Sequence, residues 1–142
     1  MLNIYLDIDG VLRGTASPKE DIIELVEFCL QNHPNSTYWL TTHCKHGENH
    51  AESALKGLLP DALVEQACNT FLPTEWEVLK TDAIDFNQDF VWLDDTLFQS
   101  ERIVLEKNNV LDSFFRMDPK DPKSAQNALT FLKSREKANA TE

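Results

Sequence analysis

Leu2-Asn3-Ile4-Tyr5-Leu6-Asp7-Ile8-Asp9-Gly10 is the stretch on which the fold turns. Its apolar residues at 2, 4, 6 and 8 alternate with Asn3, Tyr5 and Asp7. That is the period of a β-strand, predicted over 2–8. Gly10 and Gly14 then break the pattern. A second stretch, Phe90-Val91-Trp92-Leu93, is apolar without interruption, as a central parallel strand covered on both faces must be. Both runs end in acids, Asp7 and Asp9 in the first and Asp94-Asp95 in the second.

Working outward, helices and strands alternate. Ser17-Pro18-Lys19-Glu20 predicts a helix start, with Ser17 as N-cap, Pro18 at the first helical position and Glu20 closing a capping box. Ile22, Leu25, Val26, Cys29 and Leu30 give that helix one apolar face, and His33-Pro34-Asn35 ends it. A strand is expected over 37–40, a helix near 48–58 and a short strand near 63–67. Thr74 and Glu77 form a second capping-box pattern, which predicts a helix containing Lys80. A helix near 98–108, a strand over 114–117 and a last helix over 122–134 complete the pattern. The polar residues 135–142 read as a frayed tail. The expectation is one α/β domain over 1–134, doubly wound around a mainly parallel five-stranded sheet with right-handed crossovers.

Composition narrows the function. The 142 residues suit one domain, and 42 % hydrophobic residues supply one core. No apolar run approaches the ~20 residues of a spanning helix. The first residues lack a basic region, and three cysteines without paired spacing fit a reducing, cytoplasmic setting. The net charge of −11 disfavours extensive nucleic-acid binding or an anionic membrane surface.

Ligands of such sheets sit beyond the carboxyl ends of the strands. Asp7-Ile8-Asp9, Thr41-Thr42 and Asp94-Asp95 all fall at such ends. Four carboxylates gathered there repel one another, and a hard divalent cation relieves them. Oxygen donors suit Mg²⁺, which is completed by waters and substrate phosphate oxygens. Lys80, the only Lys or Arg between Lys56 and Arg102, is placed to neutralise a carboxylate and a phosphate together.

Asp7-Ile8-Asp9-Gly10-Val11-Leu12 resembles the first motif of the haloacid dehalogenase-like (HAD) superfamily. Thr41 is similar to its second, Lys80 to its third and Asp94-Asp95 to its fourth, in the family's order over nearly the whole chain. Asp-x-Asp-Gly alone also occurs in calcium loops, so the order of all four carries the resemblance. Trp39-Leu40-Thr41, Trp92-Leu93-Asp94-Asp95 and Asp118-Pro119 are also similar to the small HAD domains associated with RNA repair proteins.

The resemblance implies a three-layer, HAD-like Rossmannoid sandwich and a phosphatase. Asp7 would be the nucleophile and form an aspartyl-phosphate. Asp9 would start protonated and serve as general acid, then base. Thr41 and Lys80 would hold phosphate oxygens, with Thr42 replacing Thr41 if the register slips by one. Mg²⁺ would be held by Asp7, the Asp9 backbone carbonyl and Asp94, while Asp95 either ligates through water or orients Lys80. The intervals from Asp9 to Thr41 and from Thr41 to Lys80 leave no room for a cap domain. An open site suits a phosphorylated macromolecular end or a small phosphate ester.

Plainer readings compete. His43, Cys44, His46 and His50 invite a zinc site, but a loop lining the entrance accounts for them better. Trp39, Trp76 and Trp92 read as core, and Arg13, Lys45 and Arg116 as exposed surface cations rather than substrate contacts. A phosphoacceptor receiver domain shares the acids, the Thr and the Lys, but orders them differently. The narrower alternative is a nucleic-acid 3′-phosphatase; the remaining one is a non-catalytic module of the same fold.

Overall fold

The computed structural model of the protein describes residues 1–140. Its centre is a sheet of five strands, all parallel: β1 (Leu2–Leu6), β2 (Thr37–Trp39), β3 (Leu72–Pro73), β4 (Asp89–Asp94) and β5 (Phe114–Arg116), in the order β3-β2-β1-β4-β5. The helices are α1 (Lys19–Asn32), α2 (Ala51–Leu55), α3 (Asp61–Thr70), α4 (Gln99–Lys107) and α5 (Ser124–Ala140).

Strand periodicity divides the core in two. Leu2, Ile4 and Leu6 of β1 join Val91 and Leu93 of β4 on one face, under α1, α3 and α5. Tyr5 joins Phe90 and Trp92 on the other, with Leu105 of α4 and the irregular segment around Trp76 and Ile84. All five residues of β1 are buried, so the strand has no solvent face despite its alternating sequence. Asn3 and Tyr5 lie under the second layer rather than in water.

Five expectations are corrected. Residues 61–70 are helix, not strand: Pro60 caps α3, and Leu63, Val64 and Ala67 bury one helical stripe. The strand falls later, at Leu72–Pro73, where an edge position tolerates proline. No helix begins at Thr74, because its hydroxyl donates to the Trp39 carbonyl at 2.6 Å and Glu77 pairs with His46. Lys80 instead opens a 3-10 turn, Lys80–Ala83.

Ser17 does not cap α1; its hydroxyl accepts the Ala125 N–H at 3.1 Å and ties the starts of α1 and α5 together. The fourth correction concerns the tail. Residues 135–140 continue α5, while Thr141 and Glu142 lie outside the described residues. Arg135 donates to the Asp89 carboxylate at 2.5 Å and to the Phe90 carbonyl and Ser113 hydroxyl, which pins the helix to the start of β4. The helix near 48–58 contracts to five residues, Ala51–Leu55. No helix among the described residues is long and apolar enough to cross a membrane.

Candidate functional site

β1 and β4 are neighbours, yet from β1 the chain steps to β2 on one side and later returns to β4 on the other. This is the point where the strand order reverses, and the gap beyond the two carboxyl ends is the natural cleft. The registered pair Leu6 and Leu93 sets Asp7 beside Asp94, and the Asp7 N–H donates to the Leu93 carbonyl at 3.1 Å. Asp7, Asp94 and Asp95 each offer an oxygen within 4.8 Å of the others.

Gly10 makes room for this. It has φ +79°, and a Cβ there would stand 2.4 Å from an Asp95 carboxylate oxygen.

Lys80 spans the acids. Its ammonium lies 2.7 Å from Asp94 Oδ2 and 3.2 Å from Asp7 Oδ2. Burial alone would discharge it, but the charges of Asp7 and Asp94 hold its pKa above the usual lysine value. Burial and then the Asp7 charge push the Asp94 carboxyl up to about 8, with Lys80 opposing. The remaining oxygens accept short local bonds: Asp7 Oδ1 from the Ile8 N–H at 2.8 Å, and Asp94 Oδ1 from the Thr96 N–H at 3.2 Å.

The donor set is all oxygen, three carboxylates with no sulfur or imidazole, and fits a hard cation such as Mg²⁺. An excess of carboxylates over the single ammonium leaves negative charge for a cation to offset.

Asp9 stands apart. Its side chain is half exposed, accepts from Arg13 Nε at 2.8 Å and pairs with His43 Nε2 at 3.0 Å. Burial would raise its pKa, but the hydrogen bonds from Arg13 and His43 outweigh burial and hold it below the usual carboxylate range. That opposes the protonated resting state the resemblance implies.

The two threonines also separate. Thr41 is fully buried, its hydroxyl accepting a long 3.4 Å bond from the His43 N–H, whereas exposed Thr42 lines the cavity.

The cavity over the acids holds about 670 Å³ and is also lined by Arg13, Lys45, Trp76, Val78 and Phe98. Trp39 and Trp92 are core; Trp76 is buried but doubles as cavity wall. Arg116 reaches back to the Asp95 carbonyl instead. The four residues of the suspected zinc segment diverge. His43 pairs with Asp9, His46 with Glu77 and His50 with Glu48, while burial pushes the Cys44 thiol up to about 11.

Sequence reasoning missed Glu101. It is 2 % exposed, yet its carboxylate accepts the Lys80 N–H at 3.0 Å and the Phe98 N–H at 3.1 Å. One side chain thereby joins the Lys80 turn to the start of α4. Phe98 cannot return a side-chain bond, so this is half a capping box. The signal was a glutamate three residues into the expected helix near 98–108. Glu101→Gln replaces one acceptor oxygen by an amide and strands one partly buried N–H. Stability should fall by about 1–3 kcal/mol in urea unfolding, with faster exchange of the Lys80 amide. An unchanged midpoint would refute the bridging role.

No protein-family model matches this chain, and no curated protein or solved structure does either.

Proposed function

We propose that this protein is a Mg²⁺-dependent phosphomonoester hydrolase of the HAD type, working through an aspartyl-phosphate on Asp7 and lacking a cap domain. The observation that carries the reading is Lys80 bridging Asp7 and Asp94, with Asp95 alongside, at the carboxyl ends of the two central strands.

Asp7, Asp94 and Asp95, with the Asp9 carbonyl, would hold Mg²⁺, which when bound neutralises phosphate charge as a Lewis acid. Asp7 has one carboxylate oxygen engaged by its neighbour's N–H and the other facing Lys80. That second oxygen attacks phosphorus, and the bond from phosphorus to the ester oxygen breaks. Lys80 lies between the nucleophile and Asp94 and offsets charge gathering on the phosphoryl oxygens. Thr42, on the cavity wall, is better placed than buried Thr41 to donate to one of those oxygens.

Asp9 gives a proton to the leaving oxygen, then accepts one from the water that cleaves the acyl phosphate. A carboxylate clasped by a guanidinium gives no proton, so this role requires Asp9 to leave Arg13 and His43 when substrate enters and to take up a proton, from solvent or from a phosphate ester that binds as its monoanion.

The test is hydrolysis of p-nitrophenyl phosphate with Mg²⁺ and with EDTA, alongside thermal melting. The expected result is turnover abolished by EDTA and a melting temperature raised by millimolar Mg²⁺, since only the folded chain assembles the acids. Turnover indifferent to EDTA, or no shift in melting, would sink the metal site. A shift without turnover on any ester would favour the non-catalytic module. The net charge of −11 weighs against the 3′-phosphatase alternative, whose substrate is a polyanion.

A further inference from the structure

The acids and Lys80 account for the floor of the cavity but not for its wall. Five large hydrophobic side chains are exposed among the described residues, and two of them, Val78 at 76 % and Phe98 at 62 %, line this one cavity. Exposed apolar side chains gathered at one cleft mark a binding surface. Phe98 stands at the N-terminal end of α4, where its backbone N–H is fixed by Glu101, so the ring is presented from an anchored main chain.

Trp76 continues the wall. It is 5 % exposed, and its indole N–H has no acceptor among the described residues. The same lack of an acceptor holds for the core indoles of Trp39 and Trp92. The Lys45 ammonium lies 5.0 Å from the Trp76 ring centroid and forms no ion pair among the described residues. The wall thus carries apolar and aromatic surface with one cation, Lys45, free of an ion pair among the described residues, in contrast to the carboxylate floor.

We propose that Trp76, Val78 and Phe98 form a leaving-group subsite that selects phosphate esters of ring-bearing alcohols. The proposal rests on the phosphomonoesterase reading for the placement of the phosphate over Lys80. With phosphate there, the ester's organic group has the remainder of a 670 Å³ cavity to fill, and this is its apolar side. Rings suit it because aromatic faces and edges stack on the exposed Phe98 ring at little entropic cost, beside Val78 and the buried edge of the wall at Trp76.

The test separates ring recognition from leaving-group acidity. In Mg²⁺, the binding of benzylphosphonate is compared with that of methylphosphonate by calorimetry, and hydrolysis of 2-phenylethyl phosphate with that of ethyl phosphate. The expected preference for the ring is about tenfold or more in Kd and in kcat/KM. Phe98→Ala should lower it at least fivefold, and Phe98→Tyr should retain it. Ile103→Ala, on the same helix but away from the cavity, should leave it unchanged.

Equal affinities, no binding of either phosphonate, or a preference that survives Phe98→Ala would overturn the subsite. Ethyl phosphate hydrolysed as well as its phenyl analogue would overturn the subsite while leaving the hydrolase reading intact. A ring preference in binding, with neither ester nor p-nitrophenyl phosphate hydrolysed, would uphold ring recognition at this wall and remove the hydrolase reading, and with it the leaving-group role.

Discussion

Asp7→Asn is expected to abolish phosphomonoesterase turnover, by on the order of 10⁴-fold or more, while the chain stays folded. The amide has the shape of the carboxylate but cannot attack phosphorus as an anion. Its oxygen can still accept the Ile8 N–H that Asp7 now holds at 2.8 Å. Structurally the exchange is mild, because it removes one negative charge from three carboxylates within 4.8 Å. The Asp94 carboxyl, which Asp7 pushes upward, should titrate lower in the variant. Turnover measured on p-nitrophenyl phosphate, beside a melting curve, checks both halves. Substantial activity in a folded Asp7→Asn chain would rule out the covalent route.

Lys80→Met should have the largest effect on stability. The Lys80 side chain is 14 % exposed, and those of its partners Asp7 and Asp94 are 10 % and 2 % exposed, so solvent screens the trio little. Removing one member of a buried pair strands the other, at a cost of about 3–5 kcal/mol. That cost should depend on pH. Asp94 is raised from 3.8 to about 8, so between those values the folded chain keeps a proton that the unfolded chain releases. Its contribution is therefore complete below the unfolded value and is lost as pH rises through the folded one.

The metal-free parent should accordingly melt lower at pH 8 than at pH 5. The Lys80→Met penalty should be larger at pH 8, where more of the acids are ionised without a counter-charge. Mg²⁺ should restore part of the loss by binding the folded acids. Urea unfolding across this range is the measurement. A variant as stable as its parent at pH 8 would show that Lys80 does not balance the acids.

What the sequence disclosed and what it hid divide along physical lines. β1 was legible from its alternation and β4 from its unbroken apolar run, and the acids at their ends stand out against both. The meeting of Asp7 and Asp94 followed from the expected strand ends, whereas Lys80 reaches them from a 3-10 turn where a helix was expected. The stretch 61–80 was misread because local and tertiary demands differ there. Leu63 and Val64 suit a strand, but Ala67 four residues after Leu63 completes a helical stripe under α1. Thr74 and Glu77 spell a helix start, yet the Trp39 carbonyl and His46 claim them. The divergence of Thr41 and Thr42, the clasp on Asp9 and the Glu101 bridge depend on contacts between distant residues, which a linear reading does not contain.

The position of β1 between β2 and β4 has a consequence for how the chain is made. Its partner on one side, β4, begins at Asp89, far along the chain, whereas β2 begins at Thr37. As the chain emerges from the ribosome, β1 and β2 can pair while the opposite edge of β1 stays unzipped. Contacts between such distant segments close slowly, and an open apolar edge invites association with other chains. The acid cluster forms only when that edge closes, because Asp7 and Asp94 come from the two strands that it joins. A nascent chain stalled before β4 would thus carry a sticky edge and no site. Assembly of the cluster reports that β1 and β4, distant in the chain, have joined.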